Sequence, residues 1–144
     1  MKFKPEYGQI ILRISLSLVF LWFGVSQVYA PGEWVTFVPE FLGQIIPANT
    51  IVLINGSFEI LFGLMMISGF YLRITSLLLG VHLIGIGLSM GMTAIAVRDY
   101  GLALATLSLT FLGPDKFCID ARLKKKEEVS ASAPKEQAMQ TGSA

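Results

Sequence analysis

Four long apolar stretches constrain the fold of this chain more than any other feature of its sequence. They cover about residues 10–29, 50–69, 74–93 and 97–113. An α-helix needs about 20 apolar residues to cross the hydrocarbon core of a bilayer, and the chain lacks the period-two alternation of a membrane β-barrel. Of the residues, 53% are hydrophobic and only 15% are charged. This fraction of charged residues is too small to cover the surface of a water-soluble domain. The sequence therefore predicts an all-α integral membrane protein with four spans.

Positive charges are concentrated on one side of these spans. If the N-terminus is cytoplasmic, the cytoplasmic segments hold Lys2, Lys4, Arg73, Lys116, Arg122, Lys124, Lys125, Lys126 and Lys135. The positive-inside rule then predicts an N-in, C-in topology, with residues 1–123 forming one antiparallel four-helix bundle. Residues 124–144 are charged and then rich in Ser, Ala and Gln, which predicts a disordered cytoplasmic tail.

A glutamate, Glu59, lies in the middle of the second span. A carboxylate is costly in hydrocarbon unless it is paired, protonated or hydrated, so intramembrane acids commonly mark functional sites. Asn55 lies one turn earlier on the same helix face, and His82 lies at a similar depth in the antiparallel third span. We expect Glu59 and His82 to hydrogen-bond and to be the candidate catalytic or ligand-binding pair. The alternative is a protonated, structural Glu59 that stabilises the bundle through Asn55 or a serine.

Each predicted span has one face of polar or small residues. Small residues let membrane helices approach closely, and hydroxyl groups hydrogen-bond between them, so these faces should converge on the bundle axis. In the third span the face comprises Thr75, Leu78, His82, Gly85 and Ser89. The residues predicted to bind a ligand are Arg13, Gln27, Asn55, Glu59, His82, Arg98 and Asp99.

Charged residues also lie near the ends of the predicted spans. At the cytoplasmic end we expect an Arg13–Asp120 ion pair that closes the bundle. At the outer end, Arg98 and Asp99 form either a local helix cap or a wall of an outer cavity. The first outer loop, PGEWVTFVPEFLGQIIP, has an aromatic anchor in Trp34 and is either an interfacial cap over the bundle or a lid over a cavity.

The chain has few residues of the types that usually bind metals and prosthetic groups. His82 is the only histidine and Cys118 the only cysteine, so no set of metal ligands occurs at the usual spacing. The sequence has no haem-attachment motif, Fe–S cysteine pattern or dinucleotide-binding fingerprint, and its charges do not form a nucleic-acid footprint. We therefore expect no metal site, no covalently bound cofactor and no nucleic-acid partner.

Three motifs follow one another along the chain. They are FLWFG after Arg13 in span 1, FEILFGLMMISGFYLRITSLLLG across spans 2 and 3, and VRDYGLALATLSLTFLGPDKFCID across span 4. In this order they resemble the DoxX family of small four-span membrane proteins of bacteria and archaea. One departure is Gln27, where many relatives have a lysine. The resemblance supports, without assigning chemistry, the family positions Arg13, Glu59, Arg98, Asp99 and Asp120.

The resemblance implies a multi-pass protein of the bacterial or archaeal cytoplasmic membrane. DoxD-type relatives are membrane subunits of thiosulfate:quinone oxidoreductase, so one hypothesis is a redox-linked subunit that binds a quinone near Glu59 and His82 and works with a partner subunit. The other hypothesis is a non-enzymatic scaffold or small transport-like bundle, alone or as a homo-oligomer, in which Glu59 is structural. The sequence leaves open whether the chain is an enzyme; the lipid bilayer is its expected surrounding in either case.

Overall fold

The computed structural model describes residues 5–126, and these residues contain helices but no strands. Four of the helices are long and apolar enough to cross a membrane, which confirms the all-α fold class and the four predicted spans. A short helix and two 3₁₀ turns, Pro31–Glu33 and Val35–Phe37, join the first two of them. The α-helices are α1 (Pro5–Tyr29), α2 (Glu40–Gly43), α3 (Ala48–Ser68), α4 (Leu72–Ser89) and α5 (Ala94–Leu112).

The four long helices form an antiparallel bundle made of two closely packed pairs. In the α1–α3 pair, a Cβ atom on Gly24 would lie 2.8 Å from the carbonyl oxygen of Gly56, so the two backbones touch. In the α4–α5 pair, a Cβ atom on Gly80 would lie 2.6 Å from the Leu107 side chain, and Ser76 Oγ hydrogen-bonds Thr110 Oγ1 at 2.9 Å. Small residues therefore hold each pair together, as is usual between membrane helices.

The bundle has two distinct ends. The terminal end holds the α3–α4 turn and residues 113–126, whereas the loop end holds residues 30–47 and 90–93. The predicted orientation places the terminal end in the cytoplasm, and this stays a prediction. Residues 119–126 are helical. The rest of the tail predicted to be disordered, residues 127–144, lies outside the described residues.

A buried arginine joins α1, α3 and the segment after α5 at the terminal end. Arg13 Nε donates a hydrogen bond to Asp115 Oδ2 at 2.7 Å, and its guanidinium also donates to the carbonyl oxygens of Met66 and Ile67. The predicted Arg13–Asp120 pair is therefore wrong. The chain turns sharply at Gly113, whose φ is 77°, and this turn brings Asp115 rather than Asp120 against Arg13.

Asp120 instead caps the start of α4. Its two carboxylate oxygens accept hydrogen bonds from the backbone N–H groups of Tyr71 and Leu72, at 2.8 and 2.9 Å. The α3–α4 turn is tight because Gly69 and Tyr71 both adopt left-handed conformations, with φ values of 69° and 47°. A non-glycine residue rarely adopts this conformation, so the carboxylate of Asp120 helps to hold a strained turn.

The buried residues confirm that the spans turn a polar or small-residue face inward, but they correct the face predicted for the third span, which is helix α4. In α1, the buried residues Arg13, Ser17, Phe20 and Gln27 form one mainly polar face, in agreement with the general prediction of one inward polar face for each span. In α4, Thr75 is buried as predicted, but Leu78 is 41% exposed, and the rest of the buried line contains Leu72, Ser76, Leu79 and Leu83. The face is rotated because Ser76 and Gly80 pack against α5, whereas the polar pattern alone had placed His82 at its centre.

Candidate functional site

A cavity of about 670 Å³ lies at the loop end, between the α1–α3 pair and the α4–α5 pair. All four long helices line it, and residues of the 31–42 segment cover it. Its walls are mainly apolar, and aromatic rings are prominent among them: Phe20, Phe23, Trp34, Phe37 and Phe41. Its volume falls within the range of about 300–1,000 Å³ that is typical of small-molecule sites.

Glu59 contributes a buried carboxylate to this cavity. Gln27 Nε2 of α1 donates a hydrogen bond to Glu59 Oε2 at 2.8 Å, and Asn55 Nδ2 of α3 donates to Glu59 Oε1 at 3.1 Å. Asn55 Nδ2 also donates to Gln27 Oε1 at 2.7 Å. Both carboxylate oxygens therefore have a partner, as buried polar groups require, but each partner is a neutral amide.

His82 of α4 faces the same carboxylate from the other helix pair. Its Nε2 atom lies 3.9 Å from Glu59 Oε1, which is close but too long for a hydrogen bond. Its ring packs against Phe58 with 4.6 Å between the ring centroids. Within residues 5–126, His82 Nε2 is buried and has no hydrogen-bond partner. The structure thus brings the predicted pair together without the predicted hydrogen bond, because His82 is anchored on α4 beside Phe58.

Arg98 and Asp99 form part of the cavity wall. Arg98 Nε donates to Asp99 Oδ1 at 2.9 Å; Asp99 is buried, whereas the arginine side chain is half-exposed. The guanidinium also lies over the Phe23 ring, 5.4 Å from its centroid. The cap of α5 is Thr93, whose side chain accepts a hydrogen bond from the Ala96 N–H. Of the two roles considered for the Arg98–Asp99 pair, the structure therefore supports the cavity wall.

Trp34 lies in the segment that covers the cavity. Its ring packs edge-on against Phe23, with 5.6 Å between centroids, and against Phe37 at 5.8 Å. Its Nε1 donor is buried and has no hydrogen-bond partner in the described part of the chain. The sequence predicted an aromatic anchor here and left open whether the loop caps the bundle or covers a cavity; the loop does cover one.

Six of the seven predicted ligand-binding residues lie around this one cavity: Gln27, Asn55, Glu59, His82, Arg98 and Asp99. The seventh, Arg13, lies at the terminal end in the ion pair with Asp115. The aromatic walls of the cavity were not predicted from the sequence, although the spacing of aromatic residues in the outer loop was a usable signal. Among residues 5–126, no group of three metal-binding side chains occurs.

These features define the class of protein. Four apolar spanning helices and a cavity with a polar group inside the bundle belong to a multi-pass membrane protein rather than to a water-soluble domain. A family model described as DoxX matches residues 8–92, more than half of the chain, and the chain therefore belongs to the DoxX family. No curated protein and no solved structure matches it.

The family match covers part of the candidate site. It includes α3 and α4 and most of α1, and with them Gln27, Asn55, Glu59 and His82. It ends before α5, so the Arg98–Asp99 pair and the Asp115 partner of Arg13 lie beyond the matched residues.

Proposed function

We propose that this DoxX-family protein is a redox-linked membrane subunit that binds a quinone-class lipophile in the cavity at the loop end. The observation that carries the proposal is the cavity itself. It combines apolar and aromatic walls with a cluster of polar side chains, in which Gln27 and Asn55 hold Glu59 beside His82. A quinone has the matching chemistry, since its flat ring packs on aromatic side chains and its carbonyl oxygens need polar partners.

Glu59 and His82 suit the proton chemistry of such a ligand. Quinone reduction takes up two electrons and two protons, and a carboxyl group and an imidazole can each donate or accept a proton. The 3.9 Å between His82 Nε2 and Glu59 Oε1 is short enough for a small side-chain movement to close it. In this proposal the chain supplies the ligand site and the proton route, and a partner subunit supplies the electrons.

The first test is a purification from native membranes in mild detergent, followed by mass spectrometry of the extracted lipophiles and co-purifying proteins. The proposal expects a quinone in near-stoichiometric amount and a redox subunit. Binding of a decyl-substituted benzoquinone is then compared between the native chain and Glu59→Gln. Glu40→Gln is the matched control, because Glu40 is exposed and does not line the cavity. Equal quinone binding by all three proteins would contradict the proposal.

The second candidate function is a scaffold or small transport-like bundle with a structural Glu59. It is favoured by the hydrogen bonds from Gln27 and Asn55, which satisfy both carboxylate oxygens and join α1 to α3 without any ligand. The Glu59→Gln variant separates the two candidate functions. If Glu59→Gln loses the folded bundle, Glu59 is structural, whereas a folded variant that no longer binds quinone supports the ligand site.

A further inference from the structure

We propose that the cavity at the loop end also binds lipophilic organic cations, and that it selects them over anions of the same shape. This inference shares the cavity with the proposed function, but it requires neither a quinone nor a redox partner. Two features of the cavity carry it: the excess of acidic groups in its lining, among which Glu59 has no permanently cationic partner, and the aromatic walls.

The ionisable side chains around the cavity are mainly acidic. Three carboxyl groups line it, those of Glu33, Glu59 and Asp99, against one guanidinium, the imidazole of His82 and no lysine. That guanidinium, Arg98, is already paired with Asp99 at 2.9 Å. Glu33 is exposed, so the potential inside the cavity depends mainly on Glu59. When Glu59 is ionised, the cavity has a negative potential, which is strong in surroundings of low dielectric constant and favours a cation over an anion.

Glu59 differs from the other buried acids in its partners. Asp115 is paired with Arg13 at 2.7 Å and Asp99 with Arg98, so each has a cationic partner. Glu59 instead receives hydrogen bonds from two amides and faces the imidazole of His82 at 3.9 Å, so none of its neighbours carries a permanent positive charge. An intramembrane acid without a cation is costly, and a bound organic cation would supply the missing countercharge.

The aromatic walls suit a cation whose charge is spread over a large apolar surface. Ring faces attract cations through their quadrupoles, and such contacts strengthen where water is excluded. Phe23 already holds the Arg98 guanidinium at 5.4 Å, so this wall accommodates a cation. Phe20, Trp34 and Phe37 line the same space. The cavity of about 670 Å³ is large enough for a drug-sized ligand.

The test compares two probes that have the same shape and opposite charge, tetraphenylphosphonium and tetraphenylborate. Their binding to the purified full-length chain in detergent is measured by equilibrium dialysis. We expect saturable binding of about one phosphonium per chain and at least about tenfold weaker binding of the borate, as expected for a site of net negative charge. Equal binding of the two probes would overturn the proposal, and this comparison needs no variant.

Two substitutions then assign the effect to Glu59. Glu59→Gln removes the carboxylate, and Gln27→Lys places an ammonium group beside it; both should weaken phosphonium binding by at least about tenfold, since each removes the uncompensated charge. Glu40→Gln, at an exposed acid outside the cavity lining, should bind like the native chain. Unchanged binding by Gln27→Lys would overturn the assignment even if Glu59→Gln does not fold.

A quinone competition separates this inference from the proposed function. If phosphonium binds with the expected charge selectivity and the decyl-substituted benzoquinone neither binds nor competes, the inference stands and the quinone proposal fails. If the quinone binds and phosphonium does not, the inference fails and the quinone proposal stands. Mutual displacement would place both ligands in the cavity.

Discussion

Replacing Arg13 with methionine should be among the most damaging single changes in this protein. Arg13 is only 3% exposed, and the Asp115 side chain that it contacts is 1% exposed. Methionine would fill part of the space but leave the carboxylate buried without its cation. Breaking a buried ion pair in this way costs about 3–5 kcal/mol. The Ile67 carbonyl oxygen also loses a donor, which adds about 1 kcal/mol. The free energy of unfolding should thus fall by about 4–6 kcal/mol. This is a large part of the total for a typical protein, which is about 5–15 kcal/mol.

The assay is reversible unfolding in mixed micelles, with dodecyl sulfate as the denaturant and helicity as the signal. A double-mutant cycle with Asp115→Asn isolates the pair, and we expect a coupling energy of about 1–3 kcal/mol. Arg122→Met is the matched control, because Arg122 is an exposed arginine at the same end of the bundle. It should change the free energy of unfolding by less than about 0.5 kcal/mol. A loss below about 1 kcal/mol for Arg13→Met would refute the reasoning.

The same pair should make stability depend on acid. Burial by itself would raise the pKa of Asp115, but hydrogen bonds from Arg13 and from the Phe117 N–H outweigh it and lower that pKa below its ordinary value of 3.8. A carboxyl group with a depressed pKa in the folded state stabilises the protein above its unfolded pKa and loses this effect as the pH falls through the folded pKa. The stability difference between the native chain and Asp115→Asn should therefore shrink below about pH 4; a constant difference down to pH 2 would contradict this.

Three further experiments test other parts of the fold. Gly24→Val should lower the free energy of unfolding by about 1–3 kcal/mol, because a Cβ atom at Gly24 would lie 2.8 Å from the Gly56 carbonyl oxygen. The control is Gly101→Ala, which should be neutral or stabilising because a Cβ atom there would have nothing within 4 Å. Cys118 is fully buried, and burial raises its pKa to about 11, so maleimide should label it only after unfolding; rapid labelling of the folded chain would be inconsistent with this packing. Asp120→Ala should cost about 1 kcal/mol, because two N–H groups at the start of α4 lose their acceptor, and an unchanged unfolding midpoint would count against that cap.

The candidate site shows how far local patterns can predict a membrane bundle. Glu59 and Asn55 were expected to share a helix face because they lie four residues apart, and they do hydrogen-bond. Placing His82 at a similar depth required only helix length and a short connection, and the structure brings it within 3.9 Å of Glu59. The predicted hydrogen bond between His82 and Glu59 does not form at this distance, since it depends on how α4 is rotated against α5. Gln27 was predicted as a ligand-binding residue, and its role as a hydrogen-bond donor to Glu59 emerged only from the packing of α1 on α3.

The sequence by itself determined the four spans and the acid inside one of them, because hydropathy and helical periodicity are local properties that every residue carries with it. Only the tertiary structure decided that Arg13 pairs with Asp115 and that Asp120 caps α4, since that choice depends on the turn at Gly113. It also decided that the two helix pairs separate at the loop end and leave a cavity rather than a filled core. The rotation and tilt of each helix depend on which of its small residues approach a neighbouring helix closely. Because several faces of an apolar helix carry small residues, the neighbouring helices decide which face packs inward.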